Sequence, residues 1–316
     1  MKALVTGGAG FIGSNLVDLL ISEGHEVVVL DDLSSGYAEN LRDDVVFLHD
    51  DVSSADAALR ASEGCDVVFH LAASVGNARS IENPVRDSEV NVIGTLRVLE
   101  AARANGIGRV VFSSSAGIFG ELKTLPIAED HPQDPDSPYG ASKLAAEKMC
   151  LVYNKLHGMS NVCLRYFNVY GVRQRYDAYG NVIPIFAERI VRGRDVTIFG
   201  DGEQTRDFVN VADVAQANYR AGTSADAAGV FNIGSATRVS INELASIMSK
   251  AVGNELRTRR GAPRPGDVRD SLAAIGAAER AFGFNPSAPL MEGLQIYLAW
   301  LEGDPVTRAR WDSESD

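Results

Sequence analysis

Tyr139 and Lys143 stand four positions apart in the run Ser137-Pro138-Tyr139-Gly140-Ala141-Ser142-Lys143. Pro138 suits the first turn of a helix, where its missing N–H would go unpaired in any case. On a helix that starts there, Tyr139 and Lys143 share a face, one above the other. A fixed ammonium beside a phenol favours the phenolate and draws its pKa down from about 10. Tyr139 is therefore expected to act as a base near neutral pH. Ser115, at the end of the run Ser113-Ser114-Ser115, offers a second hydroxyl to orient or relay a proton. The Tyr-x-x-x-Lys spacing also fits an ordinary surface pair, so its meaning depends on what surrounds it.

The elements that must position these groups begin at the N-terminus. Lys2–Thr6 reads as a short strand and runs straight into Gly7-Gly8-Ala9-Gly10-Phe11-Ile12-Gly13. Residues 14–22 carry an apolar helical face ended by Gly24, and 26–30 form a β-branched strand ending in Asp31-Asp32. Strand, glycine turn, helix, strand, acid is the order of a dinucleotide-binding unit. Gly7 allows the tight turn, Gly10 lets the backbone approach a pyrophosphate, and Gly13 lets helix and strand pack closely. The helix N-terminus offers N–H donors to the phosphates. Asp31 is placed to accept from a ribose 2′-hydroxyl and would repel a 2′-phosphate, so NAD is expected over NADP.

The β–α alternation continues. Strands are expected at 45–48, 66–70, 109–112 and Val162–Tyr166, with helices at 91–105 and from Pro138 to about His157. The pattern predicts an α/β fold with a doubly wound parallel (Rossmann) sheet and ligands at the carboxyl ends of its strands. Asp31, Asp51 and Ser115 sit at such ends. His70 ends a buried strand and reads as a packing residue. After Gly171 the texture shifts to basic side chains, glycines and shorter apolar pieces. The expected organisation is an NAD-binding domain over 1–171, with 207–236 returning to it, and a smaller mixed α/β substrate domain from 172–206 and 237–316. The polar tail from Arg310 to Asp316 is expected to fray.

Bulk properties narrow the classes. The chain has 316 residues, 45% hydrophobic and 23% charged, as in an ordinary globular protein. A formal charge of −12 argues against nucleic-acid binding. No apolar run reaches membrane-spanning length. The three cysteines, Cys65, Cys150 and Cys163, lack metal-ligand spacing and point to a reducing compartment, with Cys150 and Cys163 as packing residues. With no cleavable signal ahead of the first strand, a cytoplasmic protein without a metal is expected.

Together the motifs resemble the extended short-chain dehydrogenase/reductase family, specifically the nucleotide-sugar 4-epimerases. The resemblance spans nearly the whole chain. It includes Thr6-Gly-Gly-Ala-Gly-Phe-Ile-Gly13, Asp31-Asp-Leu-Ser-Ser-Gly36, Asn91-Val-Ile-Gly-Thr95 and Tyr139-Gly-Ala-Ser-Lys143. It continues through Leu164-Arg-Tyr-Phe-Asn-Val-Tyr-Gly171, Gly200-Asp-Gly202, Arg206-Asp-Phe208 and Arg264-Pro-Gly-Asp267. The resemblance implies Ser115, Tyr139 and Lys143 as catalytic residues. It implies an NAD site formed by Gly7, Gly10, Phe11, Ile12, Gly13, Asp31, Asp32, Ser35, Gly36, Asp51, Val52, Leu71, Ala72, Ala73, Asn91 and Tyr166, with Tyr139 and Lys143. A UDP-sugar would meet Asn168, Asn181, Val182, Thr197, Phe199, Arg206, Arg264, Asp267 and Ser271, besides Ser115 and Tyr139. Two arginines gripping a pyrophosphate make sense in an acidic protein.

The resemblance also bears on reaction type. Related 4,6-dehydratases carry Asp-Glu directly after the catalytic hydroxyl; here Ala116 and Gly117 stand there. Dehydration then lacks its general acid. Phe119 replaces a usual Tyr, and Gly117 a common small hydroxyl. A small residue at Ser271, where glucose/galactose-restricted relatives have a bulky aromatic, leaves room for an N-acetyl group. The implied activity is C4 inversion of UDP-GlcNAc/UDP-GalNAc and UDP-Glc/UDP-Gal by a homodimer. A UDP-glucuronate epimerase, a keto-sugar reductase and a non-catalytic NAD-binding sensor stay open as alternatives.

Overall fold

The computed structural model describes residues 1–176, 181–253, 256–263 and 268–313. Lys2–Thr6 forms β1, which pairs in parallel with β2 (Glu26–Asp31) on one side and β4 (Val67–His70) on the other. With β3 (Val46–His49), β5 (Val110–Ser115), β6 (Val162–Tyr166) and β10 (Gly229–Ile233) they make a seven-stranded sheet of order β10-β6-β5-β4-β1-β2-β3. Every pairing is parallel. The strands read as nearly continuous apolar runs because a parallel sheet is covered on both faces. Ala3, Val5, Val27, Val29 and Phe69 pack against helices Phe11–Ser22 and Val211–Thr223. Leu4, Val28, Leu30, Val68 and Phe112 face the opposite layer, built from Ala55–Ala61, Thr95–Ala104 and Pro138–His157. The strand order reverses between β1 and β4, which opens a crevice at their carboxyl ends.

The glycine turn is sterically required. Gly7 has φ +70°, and a Cβ there would lie 2.6 Å from the Ala72 nitrogen. A Cβ on Gly13 would lie 2.1 Å from the Gly7 carbonyl oxygen.

A second core lies beside the large sheet. β7 (Asn168–Tyr170), β9 (Thr205–Asn210) and β11 (Arg238–Ser240) form one small sheet; β8 (Val196–Phe199) pairs with β12 (Thr258–Gly261) in another. Helices Val182–Val191, Ile241–Val252 and Leu290–Gly303 bury Ile183, Phe186, Leu244, Met248, Leu294, Tyr297 and Leu301 against them. The chain thus enters the second core at β7, returns to the large sheet through Val211–Thr223 and β10, and leaves again. The buried Asp207 carboxylate joins the passages: it accepts from the Ser235 nitrogen and hydroxyl and from the Ala273 nitrogen.

Two expectations need correction. The helix expected at 91–105 begins earlier: Pro84–Ser88 continues through a widened π turn, Glu89–Gly94, before the α-helix Thr95–Ala104. The tail does not fray through Ser313; helix Pro305–Ser313 is held where Arg310 Nη2 donates to Glu188 Oε2 (2.5 Å) and Trp311 Nε1 to Glu188 Oε1 (2.8 Å). Both depend on partners far along the chain.

Candidate active site

Helix Pro138–His157 starts where expected. The Ser137 hydroxyl accepts from the Gly140 nitrogen at 3.1 Å and donates to Asn77 Oδ1 at 3.1 Å. β5 ends at Ser115, whose Oγ accepts from the Gly117 nitrogen at 3.1 Å and opens the short turn Ala116–Ile118. A Cβ on Gly140 would stand 2.3 Å from the Gly117 carbonyl oxygen, so helix and strand end are in backbone contact. This contact brings the Tyr139 ring and the Ser115 hydroxyl to the same spot beside Gly117. A Cβ on Gly117 would be 3.3 Å from Ser115 Oγ and 3.7 Å from the Tyr139 ring, so residue 117 faces the pair directly.

Lys143 is 2% exposed, and its ammonium donates to the Ser113 carbonyl at 2.7 Å, 4.8 Å from the centre of the Phe112 ring. The expectation that it lowers the Tyr139 pKa is not met in this structure. Burial pushes the phenol up, the neighbouring Ser115 hydroxyl pulls it down, and the Asp87 carboxylate pushes it up further. The Lys143 ammonium is spent on β5 rather than on the phenol. Burial takes Lys143 itself down to about 8, against the opposing pull of Asp87.

The residues expected around NAD gather at the carboxyl ends of β1, β2 and β4 and at the catalytic helix. Gly10 precedes helix Phe11–Ser22 without a side-chain cap, which leaves the first-turn N–H groups, including those of Phe11, Ile12 and Gly13, for an anion. Asp31 is 7% exposed and accepts from the Ala9 and Leu33 nitrogens, both at 2.9 Å. Burial raises its pKa and these two bonds oppose the rise. Asp32 takes the Ser34 nitrogen and hydroxyl, Ser35 is exposed, and Gly36 packs on Ala9 and Asp31. Asp51 accepts from Ser53 and from Arg86 Nη2 at 2.8 Å, while Val52 is buried against Gly94. Leu71, Ala72 and Ala73 follow β4, and the Leu71 and Ala72 nitrogens are tied to Thr6. Asn91 bonds Ser74, Asp87 and Ser142. Tyr166 pairs with Ser115 across the sheet, but its hydroxyl is bonded to Asn218 at 2.9 Å inside the core, which leaves its backbone for any cofactor contact. An uncapped helix start, glycines without Cβ atoms and a buried carboxylate fit a dinucleotide.

Across the crevice, a cavity of about 190 Å³ is lined by Asn168, Asn181, Val182, Thr197, Phe199 and Arg206, together with Ile185, Phe186, Gln204 and Ile241. Sequence reading named the first six. Ile185, Phe186 and Ile241 escaped it because apolar helix residues look alike until their faces are assigned. Arg264 and Asp267 lie outside the described residues. Ser271 is buried at 7% exposure and is not among the described residues lining this cavity. Among the described residues there is no cluster of metal-ligating side chains.

His70 is fully buried and hydrogen-bonded to both Thr6 (2.7 Å) and Thr95 (2.9 Å). The Thr95 hydroxyl donates to the Asn91 carbonyl, so His70 Nε2 donates to Thr95 and Nδ1 accepts from Thr6. Arg86, which bridges Asp51 and Asp32, and Asp87 were both missed, because nothing local distinguishes two charged residues on a short helix.

A seven-stranded parallel sheet with Ser115, Tyr139 and Lys143 at its carboxyl edge defines an enzyme of the extended short-chain dehydrogenase/reductase class. Residues 3–234 match the NAD dependent epimerase/dehydratase family, and the chain belongs to it, with NAD as cofactor. It is 42% identical to the UDP-glucose 4-epimerase of Mycolicibacterium smegmatis, over 93% of this chain and 96% of that one. The UDP-glucose 4-epimerase of Thermotoga maritima, solved with UDP-glucose, superposes with a TM-score of 0.92 at 38% identity, covering 96% of this chain and 99% of that one. The UDP-N-acetylglucosamine 4-epimerase of Methanobrevibacter ruminantium, in complex with UDP-N-acetylmuramic acid, gives the same TM-score at 36% identity, covering 96% and 98%.

Proposed function

We propose that this protein is a UDP-hexose 4-epimerase that inverts C4 through a transient 4-keto sugar, acting on UDP-GlcNAc/UDP-GalNAc and also on UDP-Glc/UDP-Gal. The observation that carries the reading is the juxtaposition of Ser115 and Tyr139 around Gly117, with Ala116 and Gly117 following the serine in the chain. Two hydroxyls beside a cofactor crevice suit proton removal from a carbinol, and no carboxylate follows them to drive elimination. Bound NAD would supply the acceptor for the C4 hydride and, once reduced, the donor that returns it to the other face, and while oxidised a positive charge that favours the phenolate. Tyr139 then takes the proton of the sugar 4-hydroxyl, Ser115 orients that hydroxyl, and Lys143 holds the ammonium charge behind them. After the ketose turns about its diphosphate link, Tyr139 returns the proton on the other face. Asn168, Asn181 and Arg206 support nucleotide anchoring by lining a polar cavity away from the reacting carbon. Arg264 and Asp267 are proposed to complete it, and Ser271 to leave room for an N-acetyl group.

Proton NMR of the purified protein with UDP-GlcNAc and UDP-Glc in parallel, without added cofactor, tests this. New anomeric signals of the C4 epimer are expected in both tubes. Silence in both, and again with UDP-glucuronate and added NAD, would leave the reductase or sensor reading. Ser271→Tyr should suppress turnover of the N-acetyl sugars more than that of UDP-Gal; equal losses would remove Ser271 as the gate.

We also propose a homodimer. Val85, Ile93, Val152 and Leu156 are exposed on the Pro84–Ala104 segment and on helix Pro138–His157, which supports an apolar helix–helix contact. Light scattering should give twice the 33.8 kDa chain mass; a monomer would refute it. The three cysteines are buried and free, which supports a reducing cytoplasm.

A further inference from the structure

Asp87 is fully buried on the short helix Pro84–Ser88, yet its hydrogen-bond partners are neutral. Ser142 Oγ lies 2.5 Å from its Oδ2, and Asn91 Nδ2 donates to its Oδ1 at 3.1 Å. Ser142 precedes Lys143 in the chain, and its hydroxyl also lies 3.0 Å from the Tyr139 carbonyl. Asn91 is fixed in turn by paired bonds with the Ser74 backbone, at the π turn that widens this helix. Burying a carboxylate among neutral partners is costly unless a nearby cation compensates it. Lys143, which follows Ser142 in the chain and is itself 2% exposed, is a buried cation on which the Asp87 charge acts.

We propose that Asp87 is the positioning residue of this active site: through Ser142 it fixes the first turn of the catalytic helix, and its charge balances the buried Lys143 ammonium beside Tyr139. The inference rests on the roles proposed above for Tyr139 and Lys143. Other charged groups are poorly placed for this task. On the packed elements Arg79, Glu82, Glu89, Arg97 and Glu100 are exposed, and Arg86 turns away to Asp51. Glu147, on the catalytic helix itself, is matched by Arg165. His70 of β4 is held neutral, and Cys150 acts on Lys143 only weakly beside Asp87.

The sign of the effect is distinctive. A negative Asp87 favours the Lys143 ammonium and disfavours the Tyr139 phenolate, so it raises both pKa values. Its neutralisation lowers both. In Asp87→Asn both limbs of the kcat–pH profile should slide to lower pH, while KM for the UDP-sugar stays unchanged. A purely structural loss would lower kcat at every pH without moving either limb. Asp87→Glu keeps the charge on a longer arm and should lower kcat with both limbs at their wild-type positions. Circular dichroism and bound-NAD content report whether each variant is folded. Unmoved limbs in Asp87→Asn, or limbs displaced in Asp87→Glu, overturn the proposal; if Asp87→Asn does not fold, Asp87→Ser takes its place, with the same shift of both limbs expected and unmoved limbs again overturning it. Wild-type protein inactive on every UDP-sugar would instead overturn the functional reading beneath it.

Discussion

Tyr139 carries its hydroxyl against Ser115 in a site where burial favours the neutral phenol. Removal of that hydroxyl in Tyr139→Phe leaves the ring packed on Gly117 and takes away the proton acceptor. We expect kcat to fall by about 10²–10⁴-fold with NAD still bound after desalting, as read by absorbance of the released cofactor. Full activity would refute the assigned role. The three side chains proposed as catalytic stand out in the sequence by residue type and spacing. The direction of the Lys143 ammonium was not, because it is decided by a carbonyl on β5, thirty residues away in the chain. Asp31 was legible as an acid at the right distance, whereas its bonds to Ala9 and Leu33 required the folded turn.

The helix that begins at Pro138 carries more than the proposed base. Tyr139, Lys143 and Glu147 recur at intervals of four and so share one face. Glu147 meets Arg165 of β6 through two bonds, Nε–Oε2 at 2.9 Å and Nη2–Oε1 at 2.7 Å, with neither side chain more than 1% exposed. The Ser114 hydroxyl donates to the same Glu147 Oε2 at 2.7 Å, so helix, β5 and β6 are clamped one turn behind the chemistry. Arg165→Ala strands a buried carboxylate and should cost about 3–5 kcal/mol, measured by urea unfolding. A loss below about 1 kcal/mol, the size typical of exposed pairs, would show that the clamp is not holding. The helix start was readable because Ser137 and Pro138 are local signals. The π turn at Glu89–Gly94 was not, since Asn91 is held there by Ser74 and Ser142 from separate segments.

At the scale of the molecule, the large sheet was legible because β–α alternation and near-continuous apolar strands leave few other folds. The small sheets, built from strands as short as three residues, were not. The centre of the large sheet also sets a pH limit. Burial, helped by the Lys143 charge, holds His70 down to about 3, against 6.5 in an unfolded chain. Between those values the unfolded chain binds a proton that the folded protein refuses, so stability falls as pH falls, by up to about 1.4 kcal/mol per unit. The slope fades as pH rises through 6.5 and is nearly gone about one unit above it. Urea midpoints measured from pH 7.5 to 5 should fall less steeply in His70→Gln than in the wild type; parallel curves would mean that another group carries the acid sensitivity.

The order in which strands join the large sheet has an evolutionary consequence. β10 is laid beside β6 only after the chain has run through the second core, so no single cut separates the two. A recombination event with one junction would hand over either an incomplete sheet or an incomplete second core. Substitution at the cavity wall is therefore a simpler route to altered ligand preference in this fold than exchange of ready-made halves.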